Sequence, residues 1–109
     1  MAAPDPIIPY QVIYSAVVEH RLRELSDEAI ARGDGVAFIA ALTEFRRLLP
    51  LYPQFGDPQI DLKGEPGIIY NGIIRPLSMR YGVFEERLVF CGAPPVLLPM
   101  DRPDTSANE

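Results

Sequence analysis

The stretch PLSMRYGVFEERLVF, residues 76–90, decides the fold. It reads as two short apolar strands joined at Glu85 and Glu86. A period of two sets Leu77, Met79, Tyr81 and Val83 on one side, and Ser78, Arg80, Gly82 and Phe84 on the other. If the apolar set packs on a helical layer, Arg80 must lie on the uncovered side of the sheet.

Working outward, LVFCGA (88–93) is a final strand that Pro94 and Pro95 stop, and the VLLP after them is too short and proline-bound for a helix. Upstream, IIYNGIIR (68–75) is a strand with Ile68, Tyr70 and Ile74 on one face. QIDLK (59–63) is a short edge strand, GEPG (64–67) a turn, and Pro76 marks an edge or break. LYPQFGDP (51–58) reads as a turn-rich connection.

Before it lie two helical patterns. Val18, Leu22, Leu25 and Ala29 follow a Ser15 cap and end at Gly33. Phe38, Ala41, Leu42, Phe45 and Leu49 follow Asp34 and end at Pro50. The short link between them predicts an antiparallel hairpin. YQVIY (10–14) is a first strand, with Tyr10, Val12 and Tyr14 on one face.

The order is strand, helix, helix, then three to four strands. It predicts an α+β fold with the helices on one face of a mainly antiparallel sheet and the other face open. Residues 10–100 form one domain. Residues 1–9, with three prolines, form a flexible arm, and residues 101–109 a polar tail.

Composition narrows the function. With 48% hydrophobic and 23% charged residues, the chain is an ordinary globular one, and 109 residues suffice for one core. Net charge is −5, from 15 acidic and 10 basic residues. The two ends hold four of the acids and one arginine, so 11 acidic and 9 basic residues remain between them, a net of −2. A nearly neutral body without a basic stripe argues against binding nucleic acid through broad phosphate contact. One cysteine, no charged-then-apolar leader and no run of about 20 apolar residues predict a cytoplasmic protein that is not inserted in a membrane. One histidine and one cysteine cannot assemble a usual zinc site, and no cofactor motif is present: GDG at 33–35 lacks the lysine and preceding strand of a phosphate loop.

The element order, together with ALTEFRRLLPLYPQFGDP (41–58) and RPLSMRYGVFEERLVF (75–90), resembles the RelE/ParE toxin superfamily of type II toxin–antitoxin systems over about residues 10–93. The resemblance implies a toxin bound by a small antitoxin protein. RelE-like members cut mRNA on the ribosome without a metal, and ParE-like members poison DNA gyrase. Cleavage by a 2′-OH needs a proton acceptor, cations for the charge developing on the phosphate, and an acid for the leaving oxygen.

That catalytic set is poorly matched. With Tyr81 as anchor, the place of the family's strand arginine holds Ser78, and Arg80 stands two residues on, on the same face. The paired lysines fall on Ile69 and Asn71. The sole lysine, Lys63, lies upstream and Arg75 downstream, and GAPPVLLP (92–99) offers neither the basic residue nor the tyrosine expected after the last strand.

Arg80 and Arg75 are therefore the candidate catalytic residues, with Lys63, Asn71 and Ser78 as candidate contacts for RNA or a partner. The two arginines have a functional reading, as a fork of donors for a phosphate. They also have a bland one, as solvated charges facing Glu85, Glu86 or an antitoxin carboxylate. His20, off the apolar stripe of the first helix, is a surface residue; Tyr81 is a core aromatic and Cys91 a buried, inert thiol. Two functions follow from the resemblance taken with these residues: an antitoxin-bound toxin with weak or altered ribonuclease activity, or a non-catalytic interaction module, either ParE-like or a retired toxin scaffold.

Overall fold

The computed structural model of the protein describes residues 8–62 and 67–100. Lys63, most of the GEPG turn, most of the N-terminal arm and the polar tail lie outside the described residues.

The chain opens with β1 (Gln11–Tyr14), followed by α1 (Ala16–Ala31) and α2 (Gly35–Leu48). A single 3₁₀ turn (Pro53–Phe55) leads to β2 (Asp57–Leu62), β3 (Gly67–Ile74), β4 (Leu77–Phe84), β5 (Leu88–Cys91) and the two-residue β6 (Val96–Leu97). Five strands thus follow the hairpin where three to four are expected. The difference lies in β6, a bridge of Leu97 and Val96 to Leu77 and Ser78 that is too short to leave a periodic signal.

Local chemistry explains the helices. The Ser15 hydroxyl accepts from the Val18 amide at 3.2 Å, closing one of the amides that a helix N-terminus leaves free. Val18, Leu22, Leu25 and Ala29 are all buried. After Ala31 the chain must turn back, and Gly33 does so at φ 86°, a conformation that costs glycine nothing; the Asp34 amide then donates to Ala29 O at 2.7 Å. Asp34 holds the cap position of α2, but its carboxylate receives Arg32 Nε at 2.7 Å instead of capping. Pro50 ends the second stripe, and its carbonyl accepts the Tyr10 amide at 2.7 Å, fastening the entry to β1.

The sheet runs β1-β5-β4-β3-β2, with β6 beside the first half of β4. Every pairing is antiparallel except β1 with β5. The parallel pair arises because β1 reaches the sheet before the hairpin and must join the far side of the last long strand. Tyr70, Leu77, Met79, Tyr81, Val83, Val89 and Cys91 share one buried cluster with the stripes of both helices. Of the residues that point the other way, Ile73, Arg80 and Phe90 are exposed, as is Ile13 of β1, while Ile69, Asn71, Ser78 and Phe84 are half-buried and Gly82 is buried.

One glycine fixes how the loop before β2 meets the sheet. A Cβ on Gly56 would stand 2.7 Å from the Tyr81 hydroxyl and 2.9 Å from Asn71 O, the latter backbone of β3. Gly56→Ala is therefore expected to cost about 1–3 kcal/mol through overpacking. Thermal unfolding would show it as a fall of about 4–8 °C for each kcal/mol; an unchanged melting point would mean that the loop shifts freely.

Candidate functional site

The alternation of β4 places Arg80 on the side of the sheet opposite the buried cluster, where it is exposed. Register then decides its neighbours. Arg80 lies opposite Asn71 of β3, and Asn71 lies opposite Asp57 of β2. Directly opposed residues point to the same face, so a cation, an amide and a carboxylate form a row across three strands. Ser78 Oγ donates to Asn71 Oδ1 at 3.4 Å, drawing the hydroxyl into the same group. Arg80, Asn71 and Ser78 are thus brought together.

Asp57 has no place in the sequence reading because the Asp-Pro step in FGDP signals a turn. It is in fact the first residue of an edge strand, where the following proline needs no ladder partner. Only the strand register reveals it.

Arg75 is not part of this group. It occupies the β3–β4 turn, four positions along β3 from the residue opposite Arg80, which is about 13 Å along an extended strand. There its guanidinium donates to Pro99 O at 3.0 Å. Arg32 donates to Leu98 O at 2.6 Å, and the Leu98 amide donates to Pro76 O at 2.6 Å. Arg75 is thereby one of several clasps on the segment after β5.

Among the described residues the Arg80 side chain makes no ion pair and no hydrogen bond. It borders two grooves. One, of about 390 Å³, is lined mainly by Ile69, Gly82, Phe84 and Phe90. The other, of about 450 Å³, includes Asn71, Ser78, Pro94 and Val96. A permanently charged fork with no partner at the junction of two grooves can take a carboxylate or a phosphate, but it cannot move a proton.

The other titratable candidates stand elsewhere. His20 is an exposed residue of α1 whose Nε2 lies 3.3 Å from Glu24 Oε2. Tyr81 is buried and stacked between Tyr70 and Phe55, with both ring separations 5.9 Å, and its hydroxyl donates to Pro53 O at 2.7 Å. Burial pushes that hydroxyl well above the usual tyrosine range, so Tyr81 is a structural member and not an acid for the open face.

Burial also pushes the Cys91 thiol up, to about 12. The unfolded thiol ionises near pH 9 and the folded one does not, so this contribution to stability is complete below pH 9 and declines as pH rises from 9 toward 12. Native protein at pH 8 is expected to resist a thiol reagent that labels it at once in denaturant; rapid labelling of native protein would place Cys91 at the surface.

Among the described residues, no group of three or more histidine, cysteine or acidic side chains could hold a metal. No helix among them is long and apolar enough to cross a membrane.

The sequence matches no family model and no curated protein. Among solved structures, the fold matches a chain of the RelBE2 toxin–antitoxin complex from Mycobacterium tuberculosis, with a TM-score of 0.56 over 86% of this chain and 97% of that one, at 16% identity. What the protein shares with that complex is its α+β fold, a helical hairpin joined to a mostly antiparallel sheet.

Proposed function

We propose that this protein is the toxin-like member of a toxin–antitoxin pair, acting in the cytoplasm through the open sheet face and held in check by a small protein partner. One observation carries the reading: among the described residues the Arg80 side chain stands exposed and without a partner at the junction of two grooves, in a fold that also occurs in a toxin–antitoxin complex.

The row Asp57–Asn71–Arg80 favours a weak, metal-independent ribonuclease acting on ribosome-bound mRNA. Asp57 would accept the 2′-OH proton, Arg80 would hold the charge that develops on the phosphate, Asn71 and Ser78 would orient the chain between them, and the leaving 5′ oxygen would take its proton from water as the 2′,3′-cyclic phosphate forms. Arg75, clasped to Pro99, holds the segment after β5 and stands outside the acting group. A lone cation favours the second reading, a non-catalytic module that blocks a partner such as gyrase by occupying it.

Tightly controlled induction, followed by growth and total protein synthesis, tests the proposal. Arrest that is relieved by co-expressing the small protein encoded beside this one is the expected result. An RNA cut that appears only with ribosomes would select the ribonuclease, and a stable gyrase complex the module. Normal growth at high soluble expression, in a host close to the source, would contradict the toxin reading.

A further inference from the structure

The open face is more apolar than a phosphate-binding surface requires. Phe90 is 43% exposed, Ile13 39% and Ile73 47%, and a single cation serves the centre of the face. Proteins that hold single-stranded nucleic acid combine stacking rings with a basic track along the backbone, and among the described residues this face carries no such track. Exposed aromatic and aliphatic side chains around one unpaired arginine match the make-up of a protein interface instead.

The register gives the shape. Gly82 lies between Ile69 of β3 and Phe90 of β5 in one row across the sheet. Gly82 is buried because its neighbours lean over it: a Cβ there would lie 3.0 and 3.1 Å from two carbons of the Phe84 ring and 3.4 Å from Ile69 Cδ1. The groove of about 390 Å³ therefore has Ile69 and Phe90 at its sides and the Phe84 ring at one end. Arg80 stands at the other end, two residues back along β4, at a spacing of about 6.6 Å. An extended peptide repeats that same spacing between residues i and i+2 on one face.

We infer that the groove receives an extended segment of a protein partner in which a bulky apolar side chain packs against Ile69, Phe84 and Phe90 and a carboxylate two residues away pairs with Arg80. The inference rests on the reading of the open face as the working surface and names the chemistry that masks it. Charge complementarity selects the occupant, because the guanidinium has no carboxylate of its own among the described residues and its planar fork fits one bidentately.

A random linear peptide library displayed on phage, selected on the wild-type protein and counter-selected on Arg80→Gln, tests this. Enrichment of an aromatic or leucine two residues from Asp or Glu, in either order, is expected. The best synthetic peptide, followed by fluorescence anisotropy, should bind Arg80→Gln at least tenfold more weakly and Phe90→Ala at least fivefold more weakly. Replacing its acid with the amide should weaken binding to the wild type but not further to Arg80→Gln.

Selected peptides that lack the acid, or that bind Arg80→Gln as well as the wild type, would overturn the assignment, as would a library that yields no binder. A twelve-nucleotide single-stranded RNA that binds more tightly than any peptide, and depends on Arg80 and Phe90, would also overturn it by giving the groove to a nucleotide. Both substitutions lie at exposed positions, and matching melting curves identify intact folds. Because the library probes only the groove and induction probes only toxicity, either can fail alone.

Discussion

Phe45→Ala is expected to lower the stability of this protein by about 3–5 kcal/mol, roughly a fifth or more of the 5–15 kcal/mol that a domain usually possesses. Phe45 is fully buried on α2 and meets Phe55 edge to face with ring centres 5.6 Å apart. Phe55 stacks on Tyr81, and Tyr81 on Tyr70. The ring therefore begins a chain of aromatic contacts that runs from the helix through the 3₁₀ turn into β4 and β3.

Gly72 makes room for it: a Cβ there would come within 2.9 Å of the Phe45 ring and 3.1 Å of the rings of Phe55 and Tyr81. Truncation leaves a cavity whose walls belong to three elements, and the sheet cannot collapse into it without breaking register. Urea unfolding should show a lower midpoint at an unchanged slope. A loss below about 1 kcal/mol would mean that the aromatic chain is not what joins helix to sheet. Phe90→Ala, on the open face, should change stability far less.

How much of this was legible in the sequence depends on which physical signal each element left. Both helices announced themselves through four- and three-residue spacing, and every member of the first stripe is buried. The strict alternation of residues 77–84 revealed the face on which Arg80 stands. What escaped was whatever depends on non-local pairing. No sequence feature says that β1 runs parallel to β5, or that Asp57 aligns with Asn71 and Arg80, because register belongs to two strands at once.

Arg75 and Arg80 are close in sequence and both basic, which suggested one surface, yet the hairpin turn sends Arg75 to the end of the sheet and into a hydrogen bond with Pro99. Arg87 adopts φ 59°, a turn conformation that glycine or asparagine would have advertised and arginine hides. Its guanidinium donates to Ile8 O at 2.8 Å and lies 5.2 Å from the centre of the Tyr10 ring, so it helps fasten the start of β1.

The functional consequence of this geometry is a sharp asymmetry between the two arginines. Arg80 is unpaired and central, and losing its charge should cost a bound carboxylate or phosphate about 2–4 kcal/mol, which is roughly 30- to 1,000-fold in affinity. Arg75 already spends its donor on the chain itself, so its loss should loosen the segment after β5 and leave the action of the open face in place.

Growth arrest on induction, compared among wild type, Arg80→Gln and Arg75→Gln at matched soluble levels, measures this asymmetry directly. The predicted result is arrest by the wild type and by Arg75→Gln, with Arg80→Gln growing normally at an unchanged melting temperature. Arrest by Arg80→Gln as complete as that of the wild type would contradict the account, because the open face centred on that residue would then not be where the protein acts.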